Sequence, residues 1–293
     1  MVRIGVDVGG TKIAIGIVDR SNTIVSEIAR FAVQPYTEGA ALVERLVEEV
    51  HSLLSENGYS KEQVAGIGLG SPGPLDLGTG TVLNTPNMPM LVNFGLREAV
   101  QDISGCATEV NNDANCFVLG EALAGQARHG NIVVGVTLGT GYGCGIVFDK
   151  EVYVGATGTA AEIAHCPYLD STLEEYISGR GLSRAYKKRS GEDADGKTIS
   201  NLAAQGNKHA LDTFKEFGQH VGRSFAYFTN MLDPDYIVVG GSIANDWDYF
   251  IESLKTTLYK SINPNPKDHM QIVRSKLGES AAIIGAAGLI SLD

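Results

Sequence analysis

Runs of β-branched residues and stretches of helical apolar spacing divide the chain into alternating predicted elements. Val- and Ile-rich runs predict strands over 2–8, 12–19 and 23–33, separated by Gly, Asp or Asn, which suits an antiparallel meander. Residues 39–56 carry apolar side chains at helical spacing, and VAGIGLG then gives the continuous apolar run of a buried parallel strand. A helix near 93–103, a short strand at 107–111 and a helix over 114–127 lead to a new strand, NIVVGVTLG. A long helix over 208–232, the buried strand YIVVGG, a helix over 247–260 and a small-residue helix, AAIIGAAGLI, complete the pattern. No low-complexity linker interrupts it, and GEDADGKT is the one strongly polar loop.

The pattern repeats. IGVDVGGTKIAIGIVD, from Ile4, and VGVTLGTGYGCGIVFD, from Val134, share Gly5/Gly135, Val6/Val136, Gly9/Gly139 and Asp19/Asp149. Ile4/Val134, Val8/Leu138 and Ile17/Val147 are conservative at the same offset. Two β-lobes from a duplication are expected; the alternative is a chance match between two Gly- and Val-rich strands.

Composition narrows the classes. At 293 residues and 43 % hydrophobic content, the chain is long enough for a large core and about two domains. A formal net charge of -11 and pI near 5.0 disfavour nucleic acid and anionic membranes as partners. No basic segment followed by an apolar run opens the chain, and no stretch of about 20 apolar residues occurs, so a cytoplasmic protein is expected. Cys106, Cys116, Cys144 and Cys166 form no CxxC pair and are expected to be buried free thiols.

The Gly-rich turns raise the question of phosphate. A P-loop or dinucleotide fingerprint needs strand, turn and then helix, but DVGGTK runs directly into KIAIGIVD and TLGTGYG into GCGIVFD, so both are hairpins. Gly-rich hairpin tips can still aim backbone N–H groups at an anion, and Thr11 and Lys12 add donors; the plainer alternative is an ordinary tight turn. Asp113 in EVNNDAN falls where a short strand meets a helix, so it is either a carboxylate projecting from the sheet edge or the cap of the helix from Ala114. Glu162 and His165 stand at i and i+3 in EIAH and share a face if that segment is helical. Asn87 in TPNMP is either a turn residue or a ligand contact.

DVGGTK, GSPGPLD, NNDAN, TLGTGYG, EIAH and LDPDYIVVGGS, in that order over essentially the whole chain, resemble the ROK family of sugar kinases and related repressors. That resemblance implies an α/β, two-lobed actin-like or hexokinase-like ATPase fold with duplicated mixed sheets and a central cleft. The expected lobes are 1–116 with 280–293, and 117–279. It implies an ATP-dependent kinase acting on a hexose or derivative at the 6-hydroxyl, in a homodimer. Gly9, Gly10, Thr11, Lys12, Gly139, Thr140 and Gly141 would embrace the ATP phosphates, and Gly240, Gly241 and Ser242 would lie near the adenosine. Asp113 would be the general base. Asn87, Asn112, Glu162, His165 and Glu174 would hold sugar hydroxyls, with Glu174 selected over Glu175 by aligning YISG. Asp7 would serve Mg2+ through water, which suits an ion that keeps most of its waters.

One departure stands out. Typical members carry a CxCGxxGC cluster that binds structural zinc with the histidine; this chain has CPYLDST instead, so no structural zinc is expected. Packing of Tyr168, Leu169 and Leu173 is expected to hold that loop. PNMPML also lacks the tryptophan common in glucokinase-like members, which leaves glucose, mannose, N-acetylated hexosamines, allose and fructose open. The competing readings are a non-catalytic sugar sensor and a repressor of the same family, whose N-terminal DNA-binding domain would precede the strand that here begins at Val2. Polyphosphate is the alternative donor.

Overall fold

The computed structural model describes residues 1–292. Strands β1 (Val2–Val8), β2 (Lys12–Val18) and β3 (Ala29–Ala32) form the expected meander. Helix α1 (Gly39–Glu56) and strand β4 (Val64–Ser71) follow, then short strands β5 (Leu75–Asp76), β6 (Thr81–Val82) and β7 (Phe94–Gly95), which pair with one another. Helix α2 (Leu96–Ser104), strand β8 (Thr108–Asn112) and helix α3 (Asp113–Leu123) come next. The pattern restarts with β9 (Ile132–Leu138), β10 (Tyr142–Phe148) and β11 (Glu151–Val152), followed by a small hairpin of β12 (Pro167–Tyr168) and β13 (Ser171–Thr172). Helices α4 (Glu174–Ile177), α5 (Gly179–Ser190), α6 (Gly196–Ala204) and α7 (Lys208–Leu232) lead to β14 (Tyr236–Gly240). Helices α8 (Trp247–Tyr259) and α9 (Pro264–His269), strand β15 (Gln271–Arg274) and helix α10 (Ser280–Gly288) end the chain.

Two five-stranded sheets run in the orders β3-β2-β1-β4-β8 and β11-β10-β9-β14-β15. The orders correspond strand for strand, so the repeat read from Ile4 and Val134 is a repeat of topology and the fold is the expected duplicated mixed α/β type. In the first sheet β1, β4 and β8 are parallel; in the second, β9, β14 and β15. Parallel strands buried on both faces need continuous apolar runs, which is what VAGIGLG and YIVVG supply.

Contacts divide the chain into two units: Met1–His129 with Gly145–Ala160 and the segment from Leu277 on, and Gly130–Cys144 with Ala161–Lys276. The split expected from the sequence cut the chain at residue 116, inside α3. That helix stays whole in the first unit because it packs on α10. The approach is backbone to backbone: a Cβ at Gly120 would lie 1.9 Å from the Ala281 carbonyl oxygen, and one at Gly285 1.7 Å from that of Cys116. On its other side α10 lies on the sheet at Gly5 and Gly68, where a Cβ would meet the Ile283 and Ala286 carbonyls. A helix so enclosed must be small and apolar all round, as IIGAAG is. The opposite sheet face buries Ile4, Ile13, Ile15 and Ile67 against Leu42, Leu46 and Val50 of α1. In the second unit α7 packs on α8, with Phe217 and Phe250 edge to face at 5.7 Å.

Two elements differ from the sequence reading. Instead of one strand over 23–33, Val18 and Ile24 make a single bridge and β3 starts only at Ala29, because Ser26 Oγ accepts the Ile17 N–H at 3.1 Å where a ladder carbonyl would stand. Helix α3 ends at Leu123 rather than 127, since the Glu121 carboxylate accepts the Gln126 N–H at 3.0 Å and closes the last turn. Among the cysteines, Cys116 and Cys144 are buried as expected, but Cys106 is half-buried and Cys166 is exposed, because the hairpin β12–β13 carries it to the surface.

Candidate nucleotide and sugar site

In the first unit, the carboxyl ends of β1, β4 and β8 carry the candidate acids. Asp7 pairs with Gly70 of β4, and Asn112 with Ser71, so Asp113 emerges at the same end of the sheet as Asp7, with only β4 between their strands. That end is where open parallel sheets present ligands. Burial pushes the Asp7 carboxyl up to about 6, with Asp113 and Glu279 adding repulsion that Lys12 only partly offsets. Asp113 itself is exposed. It is the first residue of α3 and not its cap: Asn112 Oδ1 accepts the Ala114 N–H at 2.9 Å, and Asp113 Oδ1 also reaches that N–H at 2.8 Å. The capping alternative read from the sequence thus falls on Asn112.

The first turn is tight. Gly9 N–H bonds to the Lys12 carbonyl at 3.0 Å, and a Cβ at Gly10 would stand 2.9 Å from Cβ of Asn87, so Gly10 keeps Asn87 against the turn. Thr11 and Lys12 are exposed. Lys12 is not a free cation: its ammonium pairs with Glu279, which also accepts from Arg30 at 2.7 Å.

In the second unit, the turn between β9 and β10 closes with Gly139 N–H on the Gly141 carbonyl at 3.1 Å. Beside it opens a cavity of about 710 Å³, lined among others by Gly139, Thr140, Arg180, Asp195, Lys197 and Ser242. That is the size of a small-molecule site. Gly240 ends β14, and Gly241 turns the chain with φ +84° while packing on Leu138, where a side chain has no room. This turn delivers Ser242 to the cavity wall.

Glu162 precedes, and His165 ends, a one-turn 3-10 helix, Ile163–His165, so the helical segment expected here is a single turn tighter than an α-helix. Burial raises the Glu162 carboxyl, His165 lowers it and Glu174 raises it, which puts Glu162 within the field of both. Glu174 is engaged at both oxygens: one accepts the Tyr142 N–H at 3.0 Å and the other pairs with Arg180.

The loop lacking the cysteine cluster is held differently from the sequence reading. Tyr168 and Leu173 are buried, but Leu169 is 68 % exposed at the hairpin tip with φ +53°. Polar contacts do the remaining work: Tyr168 Oη meets His220 Nδ1 at 2.8 Å and accepts from Arg223 at 3.1 Å. His165 and Cys166 are both exposed, and among the described residues no group of three or more His, Cys, Asp or Glu side chains is placed to hold a metal. One thiol and one imidazole do not fit a tetrahedral structural zinc site.

The profile of the ROK family matches residues 3–292. The chain belongs to the ROK family. It is similar to a glucokinase of Streptomyces coelicolor, 30 % identical over 98 % of this chain and 96 % of that one. It is also similar to an N-acetyl-D-glucosamine kinase of Vibrio cholerae, 32 % identical over 97 % and 98 %. A ROK family glucokinase from Streptomyces griseus, solved in complex with glucose and AMPPNP, superposes with TM-score 0.81 at 30 % identity, covering 99 % of each chain. The fold is hexokinase-like: a ROK hexokinase from Thermus thermophilus superposes with TM-score 0.86 at 28 % identity, covering 99 % of this chain and 98 % of that one.

Sequence reasoning missed Arg180, Asp195 and Lys197 at the cavity and Glu279 on Lys12. Arg180 had a weak signal, since a half-buried glutamate in LEEYISG requires a cation nearby. Glu279 had none: it lies 267 residues from its partner.

Proposed function

We propose that this ROK protein is a sugar kinase that transfers the γ-phosphoryl group of ATP to the 6-hydroxyl of a hexose or N-acetylhexosamine. The observation that carries the reading is the cavity beside the Gly139–Thr140 turn, in a chain similar over nearly its full length to glucose and N-acetylglucosamine kinases. Phosphoryl transfer asks a protein for alignment, charge stabilisation and a base at the hydroxyl. In this reading Gly139, Thr140 and Gly141 are phosphate-binding residues, as are Gly9, Gly10, Thr11 and Lys12, and the adenosine lies near Gly240, Gly241 and Ser242.

Asp113 accepts the proton of the attacking hydroxyl. Its exposure on the first turn of α3 leaves it open to substrate, while Asn112 satisfies the helix end. Asn87, Asn112, Glu162, His165 and Glu174 hold sugar hydroxyls. Asp7 would hold a Mg2+ ion through water, because its half-buried carboxyl is raised by burial and further by the charges of Asp113 and Glu279, which a cation would neutralise. Such an ion supplies charge neutralisation of the phosphates.

The test is ADP release across glucose, mannose, allose, fructose, N-acetylglucosamine and N-acetylmannosamine, with ATP, GTP and polyphosphate as donors. ATP-dependent turnover of at least one sugar, with the product phosphate located at O6 by NMR, is expected. Binding of sugar without turnover by any donor would replace this reading with that of a sensor.

A further inference from the structure

Glu174 sits at the foot of the second Gly turn, where an acid is electrostatically misplaced for the nucleotide reading. Its Oε2 accepts the Tyr142 N–H at 3.0 Å, and a Cβ at Gly141 would come within 2.8 Å of the same oxygen. The start of α5 adds a second tie, Gly179 N–H to the Gly139 carbonyl at 2.7 Å. The α4–α5 corner thereby fixes the turn at both ends. The cost is a carboxylate, 17 % exposed, beside the place where a polyanion would lie, and like charges so placed oppose binding.

Arg180 answers that charge. Its guanidinium pairs with Glu174 Oε1, remains 60 % exposed, and lines the same cavity as Gly139, Thr140 and Ser242. Glu174 stands behind the turn and not in the cavity wall, whose own acids are each hydrogen-bonded: Asp195 caps α6 through the Thr198 N–H at 2.8 Å, and Asp246 accepts from Ser200. Resting on the reading of this cavity as the ATP site, we propose that Arg180 is a positioning residue for the nucleotide, which cancels the Glu174 charge and so allows one glutamate both to clamp the phosphate turn and to remain beside Glu162.

Calorimetric titration of MgATP into the full chain tests this, with wild type, Arg180→Lys, Arg180→Gln, Glu174→Gln and the double variant Glu174→Gln/Arg180→Gln. Circular dichroism confirms folding, and each protein is assayed for KM of ATP, KM of sugar and kcat. Arg180→Gln should weaken ATP binding on the order of 10- to 100-fold, as expected for exposing an uncompensated carboxylate to a polyanion. Arg180→Lys, which keeps the charge, should lose less. The double variant should regain most of the ATP affinity while its sugar KM stays raised, a recovery that a merely structural arginine would not give. Arg180→Gln binding ATP like wild type, or a double variant as weak as Arg180→Gln, overturns the proposal. Wild type that fails to bind MgATP overturns the reading of the cavity itself, and the role of Arg180 with it.

Discussion

Asp113 stands close enough to Asp7 for its charge to raise the Asp7 carboxyl, in addition to the larger effect of burial. The two acids occupy neighbouring parts of one end of the sheet yet differ in exposure: Asp7 is half-buried and Asp113 open. A half-buried acid with a raised proton affinity and an exposed acid beside it can divide the work of cation and proton handling, because environment sets the role of each.

If Asp113 is the base, Asp113→Asn should lower kcat by roughly 10²- to 10⁴-fold, about 3 to 5 kcal/mol of barrier. Stability should barely move, since Asn112 supplies the helix cap and the new amide oxygen can still accept the Ala114 N–H. Steady-state kinetics and thermal melts are the measurement. A folded Asn variant that keeps most of its turnover removes Asp113 from the chemistry.

Asp7 should make the protein less stable as pH rises. Its folded pKa of about 6 exceeds the ordinary carboxyl value of 3.8, so between these values the native state holds a proton that the unfolded chain has released. Its stabilising share is complete below pH 3.8 and lost as pH climbs through about 6. Asp7→Asn should therefore melt higher than wild type at pH 8, by an amount that shrinks toward pH 4, while activity is lost. Melting curves of both proteins from pH 4 to 8 check this; a constant difference across the range contradicts it.

Glu279 ties Lys12 and Arg30 together and adds to the repulsion on Asp7. Although burial pulls its own carboxyl up, the hydrogen bonds from Lys12 and Arg30 hold it below the usual range. Glu279→Gln should lower the Asp7 titration midpoint, read by carboxyl-carbon NMR. It should cost no more than about 1 kcal/mol of stability, because the pairs are largely solvated. An Asp7 midpoint that stays in place or rises would show that Glu279 does not act on it.

The short loop after His165 should depend on Tyr168 and not on Leu169. Tyr168→Phe removes the hydroxyl shared by His220 and Arg223 and should cost about 1 to 3 kcal/mol. Leu169→Gly relieves a left-handed backbone at an exposed tip and should be neutral or gain up to about 1 kcal/mol. Urea unfolding of the two variants measures both; a large loss at Leu169 would reverse the assignment.

Periodicity alone fixed the elements in which one local pattern decides the outcome. Helices α1 and α7 run over 39–56 and 208–232 as their apolar spacing required, and the strand–turn–strand repeat reappears as two sheets of the same order. The Gly-rich turns were legible as hairpins, because β-branched residues follow them directly. What the sequence could not determine is who answers each charge. Lys12 reads as an unpaired cation until α10 brings Glu279 to it, and the ties of Glu174 to the Tyr142 N–H and to Arg180 exist only once the α4–α5 corner is in place. Ser26 breaks a strand because its hydroxyl takes the place of a carbonyl, and Leu169 points to solvent because a two-residue hairpin turn leaves it nothing to pack on. Hydrophobic pattern specifies elements through their own repeat; hydrogen bonds and ion pairs between distant segments exist only once the sheet has assembled them.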